Sequence, residues 1–485
     1  MKLSTLIRAI PNQGTTGEGN PEIKGIAYDS RTVKPGWLFV AVTGQQVDGA
    51  EFITQAVSKG AQVVVSEYAL NLGAGVVHVQ VENARRAMAE ISNIYYGDLS
   101  RSMTVVGVTG TNGKTSTSYM IRDILRTAGL NPGLLGTVAY EIGNRVIPAS
   151  RTTPEAPEIH ALFQQMKAAH CKAVVMEVSS HALALQRVHR IDFNVGVFTN
   201  LTQDHLDYHH DMETYFNVKA EFFQGLEKRH DHSFVINIDD PWGRKLLEQK
   251  KMKDDVVTYG FHEEAAVVAL NARLDAAGTR FEVVTPWGNA SIQLHLLGRF
   301  NIHNALAALA AGGLCGVDLP TMVRALENIE TIPGRLELIP NRKSKKVFVD
   351  YAHTDDALKN VLNTLREICK GKLIVVFGCG GNRDQGKRLK MGQVAAELAD
   401  YSIVTSDNPR KEEPAAIAAD IVKGFAESTE FEVVLDRREA LEKAIRRVGR
   451  KDVLLIAGKG HEISQEFNGT IIPFDDREIV REIIG

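Results

Sequence analysis

"VVGVTGTNGKTS", Val105 to Ser116, is an apolar run that stops abruptly at two glycines, a lysine and two hydroxyl residues. The run reads as a buried strand, and the residues from Lys114 onward read as a helix. Between them, Gly110, Thr111, Asn112 and Gly113 form a turn whose backbone N–H groups can point at phosphate oxygens. The helix N-terminus beside that turn adds about half a positive charge. Lys114 can reach terminal phosphates, and Thr115, followed by Ser116, offers a hydroxyl to Mg²⁺. The strict G-x-x-x-x-G-K-[ST] spacing is not met, because Val108 stands where its first glycine belongs. The strand–turn–helix setting still favours an ATP-type phosphate site over a tight turn with an incidental lysine.

Outward from this stretch the pattern repeats. "KAVVMEVSS", "NVGVFTN" and "SFVINI" are short apolar runs alternating with helical segments, which argues for a mostly parallel α/β sheet. Upstream, "GWLFVAV", "AQVVVSE" and "VVHVQV" mix with two helical stretches. Beyond "ETIPGRLELIP", Glu330 to Pro340, the alternation becomes regular through "KVFVDYA", "KLIVVFGCGG", "YSIVTSD", "FEVVLD" and "DVLLIAGKG". That pattern predicts a doubly wound, Rossmann-like sheet, in which ligands sit beyond the carboxyl ends of the strands. The expected organisation is three α/β domains, at 1–98, 99–332 and 333–485.

Bulk properties bound the function. A chain of 485 residues is too long for one core. A formal net charge of −3 gives no electrostatic reason to expect nucleic acid or a membrane surface. Cys171, Cys315, Cys369 and Cys379 form no C-x-x-C pair, which suits a reducing compartment without disulfides. The start lacks the apolar core of a signal peptide, and no run approaches the roughly 18 apolar residues of a membrane span. A soluble, cytoplasmic monomer acting on small molecules is expected.

Several strand ends carry chemistry. Glu177 closes "VVMEVSS", and "VFTNLTQDHLDYHH" offers Asp204, His205, Asp207, His209 and His210. Oxygen-rich ligation beside a phosphate loop suits Mg²⁺, although a solvated His-rich loop reads equally well. No H-E-x-x-H spacing supports zinc. Lys219 stands alone in the apolar, aromatic "TYFNVKAEFF". It is either a snorkelling side chain or a buried amine with a lowered pKa, able to react with CO₂. Four polar clusters, Asp350 to His353, Gly378 to Arg383, Asp407 to Arg410 and Gly458 to Glu462, fall at the strand ends of the C-terminal segment. "SDNPR" is either a capped turn or a clamp for a ligand with both an ammonium and a carboxylate.

Together these segments resemble the Mur ligases, the amide-forming synthetases of peptidoglycan precursors. The resemblance spans nearly the whole chain, through "DSRTVKPGWLFVAVTG", "GVTGTNGKTS", "TTPEA", "MEVSSHALAL", "TNLTQDHLDYH", "GRFNIHNALAA", "PGRLE", "VDYAHT", "FGCGGNRDQGKR", "SDNPR" and "AGKGHE". Within the family it is closest to members that extend UDP-N-acetylmuramoyl-L-alanyl-D-glutamate, and the quartet Asp407, Asn408, Pro409, Arg410 resembles the version selecting meso-2,6-diaminopimelate over lysine.

The resemblance implies roles for individual residues. Ser30, Thr152, Thr153, Ser179 and Arg187 would contact the UDP-linked dipeptide. Thr115, Glu177, His205 and a CO₂-derived carbamate on Lys219 would hold Mg²⁺. The turn from Gly110 to Ser116, with Lys114, Asn304, Arg335 and Asp350, would bind ATP. Arg383, Asp407, Asn408, Pro409, Arg410, Gly458 and Glu462 would bind diaminopimelate. Arg410 would pair with its far carboxylate, Asp407 and Glu462 with its far ammonium. His353 is the candidate base for the reacting amine, and domain closure is expected during the cycle. The chain departs from the family pattern at Ala50, Gln186 and Leu389. Two rival readings remain open at this point: a folylpolyglutamate-synthetase-like ligase, and a nucleotide-dependent switch that turns over no amino acid.

Overall fold

The computed structural model describes residues 1–485 except 9, 45–46, 227–231, 250–255, 276–277 and 427–429. The chain divides into two compact units, one of residues 1–107, 130–194 and 221–232, the other of 108–129, 195–220 and 233–485.

The first unit begins with a five-stranded sheet. Its order is Gly14–Thr16, Val77–Gln80, Ala61–Ser66, Trp37–Val40 and Ile26–Ala27, parallel except for the first strand. Alternation along Trp37–Val40 explains its burial on both faces. Leu38 and Val40 pack with Leu6, Met88 and Ile91, while Phe39 packs with Ile53 and Ala56. Helix Ala84–Tyr96 starts where the Asn83 side chain accepts the Arg86 amide, and stops at Gly97. The same unit pairs Ala173–Glu177 in parallel with Pro132–Leu135, which continues antiparallel into Ala139–Ile142 and Arg145–Pro148. Strand Thr104–Thr109 carries the chain out of the first unit into the second.

In the second unit, Val195–Phe198, Ser233–Asn237, Val256–Gly260 and the start of Val267–Asp275 are parallel neighbours. Val267–Asp275 then folds back through Gly278–Thr285 and Gly288–Leu294 as an antiparallel meander, which helix–strand alternation does not predict. Helices Arg299–Leu314 and Leu319–Glu327 pack against helix Lys114–Thr127, whose Ile124 and Leu125 are fully buried. The rest of this unit is the doubly wound sheet. Its order is Glu337–Leu338, Lys346–Asp350, Val453–Ala457, Leu373–Phe377, Tyr401–Val404 and Phe431–Val433, parallel after the first short strand. The last long strand is inserted between the first two, so the strand order reverses there. Val375 and Phe377 face helices Asp355–Ile368 and Gly386–Leu398, whereas Ile374 and Val376 face Arg437–Arg447 and Asp476–Ile484. The α/β class and the Rossmann-like C-terminal sheet agree with the sequence pattern.

Among the described residues no helix is long and apolar enough to cross a membrane. Truncating Ile124 to Ala leaves a cavity beneath the Gly110–Gly113 turn's helix, and its expected cost is about 2–5 kcal/mol. A lowered urea midpoint for the variant, with the secondary-structure signal of the folded state unchanged, checks it.

Candidate active site

The turn between Thr104–Thr109 and Lys114–Thr127 is held by side chains from two neighbouring elements. Gly113 has φ +85°, and a Cβ there would collide with Asn304 Oδ1 on helix Arg299–Leu314, so any side chain here would be strained and would displace Asn304. That Asn304 oxygen accepts from Thr117 Oγ1 at 3.3 Å, while its amide donates to Asn301 Oδ1 at 3.0 Å. At the end of Val195–Phe198, Thr199 Oγ1 donates to Asn112 O at 2.7 Å, and Asn200 Oδ1 accepts the Asn112 amide at 2.9 Å. The turn is thus bonded on both sides by side chains of the protein itself.

Two lysines converge on one carbonyl of this turn. Lys114 Nζ donates to Gly110 O at 3.0 Å and Thr111 O at 2.7 Å, and Lys219 Nζ donates to the same Gly110 O at 3.0 Å. Lys219 is fully buried and lies 4.8 Å from the centre of the Tyr215 ring. Burial, then the charge of Lys114, pushes its pKa well below the ordinary lysine value, with Asp204 opposing. The Asp204 carboxyl is pushed up by burial, but His205, His353 and Lys387 together bring it down to about 2. Asp204 Oδ2 lies 3.4 Å from His205 Nε2 and 3.9 Å from His353 Nε2. His353 Nδ1 donates to Tyr351 O at 2.8 Å, so Nε2 carries the lone pair; burial holds its pKa below the usual value and keeps the ring neutral.

The C-terminal segment reaches this turn directly. Arg335 Nη2 donates to Thr115 Oγ1 at 2.8 Å, with the guanidinium 4.6 Å over the Tyr351 ring. Asn112 Nδ2 donates to Asp356 Oδ2 at 2.9 Å, and Lys390 Nζ donates to Gln203 Oε1 at 2.6 Å. Asp350 is buried, and its two oxygens accept the Leu336 and Ala352 amides at 2.5 and 2.7 Å.

On the rim of the doubly wound sheet, the quartet is woven into two other loops. Asp407 Oδ1 accepts the Asn408 amide at 2.7 Å. Asn408 Nδ2 donates to Glu462 Oε2 at 2.9 Å, and the Asn408 carbonyl accepts the Gly381 amide at 2.9 Å. Arg410 has φ +53°, a costly conformation for a long side chain. It is held there by backbone bonds on both sides, its amide to Glu466 O at 3.0 Å and its carbonyl from Asn468 N at 2.6 Å. Its guanidinium donates to Gly381 O at 2.8 Å and lies 3.5 Å from Glu466. Glu462 is not alone, because the buried Lys459 Nζ donates to it at 2.9 Å. Arg383 is exposed and has no hydrogen bond or ion pair among the described residues.

In the first unit, Glu177 accepts the Thr137 amide and hydroxyl, each at 2.9 Å, and Thr137 Oγ1 meets Thr152 Oγ1 at 3.1 Å. Thr153 Oγ1 donates to Glu177 O at 2.7 Å and accepts the Ser179 amide at 3.1 Å. Arg187 Nη1 donates to Thr153 O at 3.0 Å, and Nη2 lies 2.9 Å from Glu155. Glu177, Thr152, Thr153, Ser179 and Arg187 therefore form one network. Ser30 stands outside it, donating to Gln55 Oε1 at 2.6 Å.

Family models match three stretches: "Mur ligase family, catalytic domain" at 22–96, "Mur ligase middle domain" at 108–312, and "Mur ligase, glutamate ligase domain" at 334–460. A relative from Caldanaerobacter subterraneus subsp. tengcongensis, named UDP-N-acetylmuramoyl-L-alanyl-D-glutamate–2,6-diaminopimelate ligase, is 42% identical over 100% of this chain and 99% of its own. The chain belongs to the Mur ligase family. A second relative of the same name, from Alkaliphilus metalliredigens, is also 42% identical, over 100% of this chain and 97% of its own. A solved structure of a ligase with that name superposes with a TM-score of 0.67 at 33% identity, covering 95% of this chain and 94% of its own.

In this Mur ligase some site contacts carry no signal in the sequence pattern. Asp356 follows the "VDYAH" segment yet is joined to the phosphate turn only by tertiary contact, and the setting of Asp204, itself offered by the sequence, comes from His205, His353 and Lys387 packed around it. Lys459 sits inside "AGKGHE", three residues before the Glu462 it neutralises. Among the described residues no group of three or more His, Cys, Asp or Glu side chains is spaced to hold a metal ion.

Because Lys219 binds its proton more weakly in the folded state, the unfolded chain holds more protons, and stability rises with pH up to the free lysine value near 10.4. Lys219→Met in carbonate-depleted buffer is therefore expected to melt higher than the parent at pH 7. The gap should narrow as pH approaches 10, and calorimetric melting across pH 6–10 checks it.

Proposed function

We propose that this Mur ligase joins meso-2,6-diaminopimelate to UDP-N-acetylmuramoyl-L-alanyl-D-glutamate, using ATP, through an acyl phosphate. The observation that carries this is the full-length 42% identity with ligases of that name. The phosphate turn and the Asp407–Arg410 quartet, both at strand ends, agree with it.

In the proposed reaction the D-glutamyl γ-carboxylate attacks the γ-phosphorus of ATP, and ADP departs. The amine of diaminopimelate then attacks the acyl carbon, phosphate leaves, and the amine loses a proton. Lys114 and the backbone amides of the Gly110–Ser116 turn hold the phosphates and screen the approach of two anions. Asn304 sets the turn's shape, and Arg335 orients the Thr115 hydroxyl. His353, neutral and with its Nε2 lone pair available, accepts the amine proton.

The donor set suits magnesium if Lys219 is carbamylated: a buried amine whose pKa burial lowers, beside a phosphate turn, would become a carboxylate-like oxygen ligand with Thr115 and His205. Glu177 carries the same assignment from the family pattern. Magnesium would supply charge neutralisation at the phosphates. Ser30, Thr152, Thr153, Ser179 and Arg187 bind the UDP-linked dipeptide. Arg383 pairs with the carboxylate beside the reacting amine, and Arg410 with the far one. Asp407, Asn408, Pro409, Gly458 and Glu462 shape the pocket for the far ammonium. Lysine would leave the Arg410 guanidinium without its ligand, a loss that can discriminate by roughly 10⁴-fold.

Phosphate release from ATP in the presence of the UDP-linked dipeptide tests the assignment. Release with meso-diaminopimelate and almost none with L-lysine is expected; equal rates would remove the role given to Arg410, and no release would remove the ligase. Lys219→Ala is expected to lose at least about 100-fold in turnover, with partial recovery on adding a short carboxylic acid. Full activity of that variant in carbonate-free buffer would remove the carbamate.

A further inference from the structure

In the doubly wound sheet, Val453–Ala457 and Tyr401–Val404 are not neighbours, because Leu373–Phe377 runs between them. No direct ladder of backbone bonds therefore joins the two strands whose ends lead into the loops Asp407–Arg410 and Gly458–Glu462. At the strand ends one guanidinium spans that gap, while nearer the tips Asn408 bonds Glu462 and Lys459. Arg437, the first residue of helix Arg437–Arg447, donates from Nη1 to Ser406 O at 3.3 Å and from Nη2 to Ala457 O at 3.0 Å. Ser406 and Ala457 immediately precede Asp407 and Gly458. The other edge of the same guanidinium donates from Nε and Nη2 to the two oxygens of Asp476, each at 2.8 Å. Both side chains are 0% exposed.

The loops that Arg437 ties meet at their tips. Gly458 has φ +110°, and a Cβ there would lie 2.5 Å from Asp407 Oδ2. Gln465 Nε2 adds a bond to Asp407 O at 2.8 Å. Burial works against the Arg437 charge, but Asp476, Asp407 and Glu462 outweigh it and keep it protonated. A buried ion pair of this kind is weak evidence for stability, since well-packed apolar side chains often replace one at no cost. A planar fork that bonds two strand ends and a carboxylate at once does what no apolar side chain can.

We propose that Arg437, held in place by Asp476, is a positioning residue for the amino-acid pocket, setting the separation of the Asp407 loop from the Gly458–Glu462 loop. This rests on the reading of those loops as the acceptor site. Arg437 does not touch the acceptor. It fixes Arg410 relative to Glu462, so that both ends of a diamino dicarboxylate are met together. The phosphate turn takes its shape from Asn304, Thr199 and Asn200, and is independent of this contact.

The test is steady-state kinetics of the full chain with each of the three substrates varied in turn, alongside thermal melting. The variants are Arg437→Met/Asp476→Leu, which removes both charges together, and Arg437→Lys, which keeps a cation for Asp476 but lacks the fork. In both, the KM for meso-diaminopimelate is expected to rise at least about tenfold, with the preference over lysine falling in parallel. The KM values for ATP and the UDP-linked dipeptide should stay within about twofold of the parent. If all three KM values rise together with a lowered melting temperature, or if none changes, the proposal is overturned; should the double variant not fold, Arg437→Lys alone decides. Arg410→Met serves as the control for the pocket itself. If it leaves the preference over lysine intact, the acceptor assignment fails. If it abolishes the preference while the Arg437 variants retain it, only the positioning role fails.

Discussion

A parallel strand buried on both faces has room for charged and strongly polar groups chiefly where its ladder stops. Leu373–Phe377 and Val453–Ala457 are buried at every position, with odd and even side chains committed to helices on opposite sides. The chemistry of the C-terminal segment is thereby forced to the strand ends, where Gly378, Asp407 and Gly458 begin their loops. The same constraint acts on Thr104–Thr109, whose run of buried residues gives way to the phosphate turn. The phosphate turn and the rim loops of the second unit hang from these terminations, while Lys219 and Asn304 come from helices.

Concentrating polar groups at strand ends creates buried charge, and the protein meets it in different ways. Arg437 is matched by Asp476 and two carbonyls, Arg388 by Glu412 and Asp420, and Lys459 by Glu462 and Asn408. The bonds of Arg437 to Ser406 and Ala457 and of Lys459 to Asn408 also tie one rim loop to another, so neutralisation and loop placement come from the same side chains. Lys219 differs from these. Its hydrogen bond goes to a carbonyl, a second lysine shares that carbonyl, and its proton is weakly held. An amine kept in this state lowers stability at neutral pH, and such a cost is characteristic of a group retained for reaction.

Arg410 expresses the same trade at the level of the backbone. A long side chain in a left-handed conformation is unfavourable by itself, and the hairpin Ser464–Phe467 and Thr470–Pro473 supplies the bonds that hold it. The hairpin also presents Glu466 near the guanidinium, so the direction of the arginine is set within the protein. Preorganisation of this kind reduces the ordering that binding must otherwise do.

Much of this was legible in residue order, because phosphate turns, alternating apolar runs and strand-end polar clusters are local patterns. Gly113, Lys114 and Thr115 announce a turn at a helix start, and the regular strand–helix alternation after Pro340 dictates a doubly wound sheet, since both follow from backbone geometry over a few residues. Lys219 was undecidable between a snorkelling chain and a buried amine, because an isolated lysine in an apolar helix fits both until the tertiary packing closes over it. The meander Val267–Leu294, the link from Asn112 to Asp356 and the span of Arg437 from Ser406 to Ala457 were invisible for a related reason. They depend on which strands and loops become neighbours, and the free energy of burial over the whole chain, not any local spacing, decides that.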